Sequence, residues 1–79
     1  MNQELLMQEL SVILEVPRSE IDSNTILEEQ KLWDSLSMIS LIGFIDDTYK
    51  VLISGLDFIN FITVKDVIVF IEKNLEALK

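Results

Sequence analysis

The sequence predicts an all-α fold, a small bundle of three main helices and one short helix with a long loop after the first. Three observations carry that expectation. Apolar residues recur at three-to-four spacing in three separate segments, the signature of amphipathic helices. Helix breakers are few, with Pro17 the single proline and Gly43 and Gly55 the two glycines. No repeat, low-complexity tract or Gly/Ser linker divides the chain, so residues 1–79 read as a single domain.

The first helix is expected from about Asn2 to Glu15. Its stripe is Leu6, Leu10, Ile13 and Leu14, flanked by Leu5 and Met7, and Glu4 suits the positive end of the helix dipole. Pro17 should stop it, because the residue before a proline avoids the α region. Residues 17–34 read as irregular: Arg18 to Thr25 is polar and rich in turn formers, and Ile26, Leu27, Leu32 and Trp33 lack clean periodicity. Loops this long are uncommon in small domains unless functional. Its apolar residues are expected to pin it across the bundle, with Trp33 a large anchor.

The second helix is expected to start at or just before Ser35 and reach about Lys50. Met38, Ile42, Ile45 and Tyr49 form its stripe, widened by Leu41, opposite a small or polar side of Ser37, Ser40, Gly43 and Asp47. Leu36 and Ile39 lie near that polar side and should stay partly exposed. Gly43 costs a helix about 1 kcal/mol relative to alanine, and close approach by another backbone is one use for it. Val51 to Gly55 reads as a connection with a weak strand signal at Val51-Leu52-Ile53, and residues 56–61 as a short helix. The last helix should open at Thr63 and run to about Ala77, with Val64, Val67, Ile68, Ile71 and Leu75 inward. Thr63 and Asp66 have capping-box spacing.

Composition narrows function. Apolar residues make up 49% of the chain, enough for a core and too many for disorder. The net charge of −8 disfavours nucleic acid and anionic membranes as partners and favours proteins with basic patches. Histidine and cysteine are both absent. That removes the commonest general base, the commonest zinc ligand and any disulfide, so neither a catalytic residue nor a metal site is expected and the chain reads as no enzyme. The longest uncharged run, Ser35 to Ile45, is too short to span a bilayer. The start, Met1-Asn2-Gln3-Glu4, lacks a basic signal-peptide region. Together these point to a cytoplasmic protein.

The segment with chemistry in it is Trp33-Asp34-Ser35-Leu36, followed by the amphipathic helix. Ser35 stands where the long loop becomes a helix, a place where free backbone N–H groups and the dipole favour an anionic substituent. Asp and Ser are also favoured N-caps, so the pair alone does not separate capping from modification. The wider pattern adds Asp34-Ser35-Leu36 near the middle of an acidic chain, the stripe Ile42, Ile45 and Tyr49, and Thr63-Val64-Lys65-Asp66-Val67 opening the final helix. Taken together this resembles the acyl carrier protein family, the phosphopantetheine-binding carriers, over essentially the whole chain.

The resemblance implies that Ser35 is the attachment site of a covalent 4′-phosphopantetheine, with Asp34 and Leu36 as motif flanks. A separate, magnesium-dependent phosphopantetheinyl transferase would load it: the Ser35 oxygen attacks the β-phosphate of coenzyme A and adenosine 3′,5′-bisphosphate leaves. The sulfur would thus come with the cofactor. Leu36, Ile39, Asp46 and Asp47 match positions that partner enzymes touch; those partners would be acyl-transferring, condensing or adenylating enzymes, visited by a monomer. The pathway implied is fatty-acid, polyketide or related specialised acyl-lipid biosynthesis. Ser37 and Ser40 stand where the family is often acidic, and Leu32 and Trp33 replace a frequent glycine, which favours a specialised route. Two other readings stay open: an aminoacyl or peptidyl carrier, and a small helical interaction module without a prosthetic group.

Overall fold

A computed structural model describes residues 1–77 and contains four α-helices and no strand among them. These are α1 (Gln3–Leu14), α2 (Ser35–Tyr49), the single-turn α3 (Gly55–Phe58) and α4 (Val64–Ala77). The all-α expectation holds. The borders of the three main helices shift by a residue or so because the end residues serve as caps, while the short helix, expected over 56–61, ends three residues early at Phe58. Asn2, for example, stays outside α1 and its Oδ1 accepts from Glu4 N at 3.0 Å and Leu5 N at 3.4 Å.

Helix α1 stops at Leu14, ahead of Pro17 as expected, and the stop is made by a left-handed turn. Glu15 adopts φ 55°, in the left-handed region, and the chain closes on itself through Glu15 N to Val12 O and Val16 N to Ser11 O. That pair of bonds is the Schellman pattern, which satisfies the orphan carbonyls of the last turn. Lys50 (φ 57°) ends α2 in the same region.

One hydrophobic core joins all four helices. From α1 come Leu6, Leu10 and Leu14, and from α4 Val64, Val67 and Ile71, as their spacing predicts. The inward line of α2 differs from the expected stripe. Leu41 and Ile45 are its fully buried members, while Met38, Ile42 and Tyr49 pack only partly against the core. Ser37, expected on the solvent side, is buried. It sits one turn before Leu41 on the inward line, and its hydroxyl is tied back to the helix start. The segment Val51-Leu52-Ile53 has strand-like alternation, with Val51 and Ile53 buried and Leu52 exposed, but no neighbouring chain pairs with it, so it is an extended connection.

The long loop is laced down rather than free. It contains two 3-10 turns, Arg18–Glu20 and Leu27–Glu29. Ile21 and Leu27 enter the core, whereas Ile26 and Leu32 remain exposed, so only part of its apolar content pins it. Arg18 joins the first turn to α1, donating to both carboxylate oxygens of Glu4 at 2.7 Å and to Ile21 O at 2.6 Å. The guanidinium holds the Glu4 carboxyl below its ordinary value, chiefly through these hydrogen bonds.

The start of α4 shows why the loop takes this path. Its first free N–H groups, on Val64 and Lys65, donate to the loop carbonyls of Thr25 (3.0 Å) and Ser23 (2.9 Å). Leu27 N returns a bond to Ile62 O at 3.0 Å, and Ile26 bridges Thr63 in antiparallel fashion. Of the expected capping box, Asp66 supplies its half and more: its Oδ2 accepts from Ile62 N at 2.8 Å and Thr63 N at 3.1 Å. Those two donors hold its carboxyl below the usual range. The loop carbonyls, however, satisfy the helix's own orphan donors.

Gly43 does not mark a close backbone approach. It is exposed, and a Cβ built there meets nothing within 4 Å. Gly43→Ala is therefore expected to stabilise the fold by about 1 kcal/mol through helix propensity. Thermal unfolding followed by circular dichroism should show the midpoint rise by about 4–8 °C. A midpoint that falls would mean the glycine meets a constraint absent from this structure.

Candidate functional site

The first turn of α2 presents Ser35 by fixing the residues on either side of it. Asp34 is the N-cap, in extended conformation, and its Oδ1 accepts from Ser37 N at 2.9 Å. The Ser37 hydroxyl in return accepts from Asp34 N at 2.8 Å and donates to Asp34 O at 2.8 Å. This is a capping box with serine in place of the usual Glu or Gln. A short side chain can close it because Ser37 is folded inward, next to Leu41.

Behind the cap, Trp33 is anchored. Its ring packs on Phe58 of α3 with centroids 5.7 Å apart, Phe58 on Phe61 at 5.2 Å, and Phe61 on Phe70 of α4 at 5.5 Å. The spacings suit edge or tilted aromatic contact. The junction at residues 33–35 is therefore held from both directions, by the α2 cap in front and an aromatic row behind.

Ser35 itself is the first helical residue and is exposed. Among the described residues its hydroxyl takes no hydrogen-bond partner, and the backbone N–H groups of Ser35 and Leu36 have none. The site thus fits a phosphodiester in two respects: an accessible oxygen and two free donors at the positive helix end. The Asp34 carboxylate opposes this. Helix-end stabilisation of an exposed anion is worth about 0.3–1 kcal/mol, a margin that a neighbouring carboxylate can cancel. Accessibility, more than charge, is what the position offers.

The other predicted site residues share the solvent side of α2. Leu36 is 72% exposed and Ile39 64% exposed, with Ser40 and Gly43 between them and Asp46 and Asp47 at the far end. The result is an apolar start, a flat middle of small residues and an acidic end. Exposed apolar residues continue across α3 and its flanks, with Leu56 and Ile59 each 75% exposed. These two residues had no sequence signal, because an isolated apolar position in a short helix reads equally well as core.

The fold also builds a groove that spacing could not reveal. It measures about 250 Å³ and is lined by Ile13 and Glu15 from the end of α1, Leu32 from the loop, and Asp34, Leu36 and Ser40 from around the α2 start. Ile13 and Glu15 are far from Ser35 in sequence and share a groove with its neighbours Asp34 and Leu36 because α1 and α2 pack together.

Among the described residues, no group of three or more acidic side chains is placed to hold a metal ion, and no helix is long and apolar enough to cross a membrane. A scan against family models and a search of curated proteins find no match to this chain.

Proposed function

We propose that this chain is an acyl carrier protein that bears a 4′-phosphopantetheine arm on Ser35 and does no chemistry of its own. The observation that carries this reading is the exposed, unpartnered Ser35 hydroxyl held at the start of α2 between a closed capping box and an aromatic anchor. The resemblance of Asp34-Ser35-Leu36 and the final-helix opening to the carrier family supports it.

When attached, the arm supplies a terminal thiol that holds the cargo as a thioester. The chain's residues do the rest. Ser35 contributes the esterified oxygen, and the Ser35 and Leu36 N–H groups lie at the end of α2 that receives the phosphate. Asp34 and Ser37 keep that end from fraying, so a transferase meets a preformed helix. Leu36 and Ile39 offer apolar contact to enzymes, and Asp46 and Asp47 offer contacts to basic groups. With only two acids on α2, docking would rely more on apolar contact than on charge, consistent with a specialised acyl-lipid or polyketide-type route. Small Ser40 and Gly43 leave the middle of that face flat for a partner.

The test is intact mass spectrometry. Purified apo-protein incubated with coenzyme A, magnesium and a phosphopantetheinyl transferase should gain one phosphopantetheine, and adenosine 3′,5′-bisphosphate should appear in equal amount. Protein that stays unmodified by several transferases active on other carriers would overturn the reading in favour of a plain interaction module. Loading the holo form from acyl-coenzyme A rather than through amino-acid adenylation would separate the acyl from the aminoacyl carrier.

A further inference from the structure

The groove beside Ser35 has a composition that restricts what can occupy it. Its hydrogen-bonding side chains are Glu15, Asp34, Ser37 and Ser40, and no cation lines it. The Ser37 hydroxyl is consumed by the capping box, and Asp34 commits Oδ1 to Ser37 N. Asp34 Oδ2, the Glu15 carboxylate and the Ser40 hydroxyl have no hydrogen bonds to other described residues. Ile13, Leu32 and Leu36 supply the apolar walls. Such a groove repels phosphate and carboxylate. It fits a neutral occupant with an apolar body and N–H groups to donate.

We propose that this groove seats the neutral, amide-bearing half of the pantetheine arm, resting on the reading of Ser35 as its attachment point. The pantoyl part has two geminal methyl groups, suited to the Ile13–Leu32–Leu36 walls. The amide N–H groups of the adjoining β-alanine and cysteamine units find acceptors in Glu15 and Asp34. The phosphate stays outside, at the free N–H groups of Ser35 and Leu36, with Asp34 the carboxylate beside it.

Size fixes how much enters. Pockets that enclose a drug-sized ligand run from about 300 to 1,000 Å³, so about 250 Å³ takes a segment of the arm and leaves the thiol and its cargo outside. Affinity need not be high. Attachment one residue from Asp34 gives an effective concentration of order millimolar, enough to fill a weak site while letting a partner enzyme draw the arm away.

The experiment compares amide NMR spectra of ¹⁵N-labelled protein before and after loading, with mass spectrometry confirming the gain. Residues next to Ser35 shift in any case. The groove predicts further shifts at Ile13, Glu15 and Leu32, and NOEs from the geminal methyls to the Ile13 and Leu32 side chains. Leu32→Ser, which removes one wall of the groove, should lose the NOEs to Ile13. No mass gain overturns the carrier reading and this inference with it. A full mass gain with shifts confined to residues 33–37, and no NOE to Ile13 or Leu32, overturns the groove alone.

Discussion

Leu27→Ala is expected to destabilise the protein by about 2–5 kcal/mol, as much as a leucine deleted from the middle of a helix. Leu27 belongs to a 3-10 turn in the long loop, yet its side chain is fully buried in the common core. Truncation leaves a cavity that the surroundings can close only by moving the loop. The loop cannot move freely, because Leu27 N is bonded to Ile62 O and the carbonyls of Thr25 and Ser23 cap α4. A collapse that filled the hole would therefore strip α4 of its N-terminal partners. For a domain of this size the whole stability is of order 4–12 kcal/mol, so the loss is a large share of it.

Urea unfolding measures the effect. Leu52→Ala is the matched control: the same deletion in a non-helical segment, at a side chain 78% exposed, expected to stay within about 0.5 kcal/mol. Equal effects at the two positions would show that the loop is not part of the core.

Substitutions at the three serines around the α2 start should separate modification from structure. Ser35→Ala is expected to abolish the coenzyme-A-dependent mass gain completely while leaving helicity and stability near those of the parent, because the hydroxyl has no partner in the fold. Ser37→Ala should do the reverse. It deprives Asp34 N of its acceptor in a part-buried setting, at a cost of about 1 kcal/mol, but leaves the Ser35 oxygen exposed, so the mass gain persists. Ser40→Ala should change neither. Intact mass and thermal unfolding on the same three variants read both quantities. If the mass gain survived in Ser35→Ala and vanished in Ser40→Ala, the arm would belong one and a half turns further along α2. If it survived in all three, the modified group would lie elsewhere.

The stripes of α1 and α4 were legible because each helix has one wide apolar face and a polar remainder. In α2 the reading slipped. Apolar residues surround much of that helix, at Leu36, Met38, Ile39, Leu41, Ile42, Phe44 and Ile45, so spacing alone allowed several inward lines. Packing against α1 and α3 selected the line through Leu41 and Ile45. It drew Ser37 inward and left Leu36 and Ile39 in solvent. The thirty-third to thirty-fifth positions were legible as a loop-to-helix junction because Asp and Ser are cap residues. Which of the two would be the cap was not, since Asp and Ser are both favoured there and only the folded chain gives the role to Asp34.

The features readable from the residues alone are local ones. Helix identity, a cap at Asp34 or Ser35, and the acidic character follow from residue types and near-neighbour spacing, which act over one or two turns. Three features needed the packed fold: the choice of the buried face of α2, the loop carbonyls that close the start of α4, and the arrival of Ile13 and Glu15 next to the residues flanking Ser35. These depend on contacts between segments distant in sequence, and such contacts form where apolar surface can be buried with every backbone N–H still partnered.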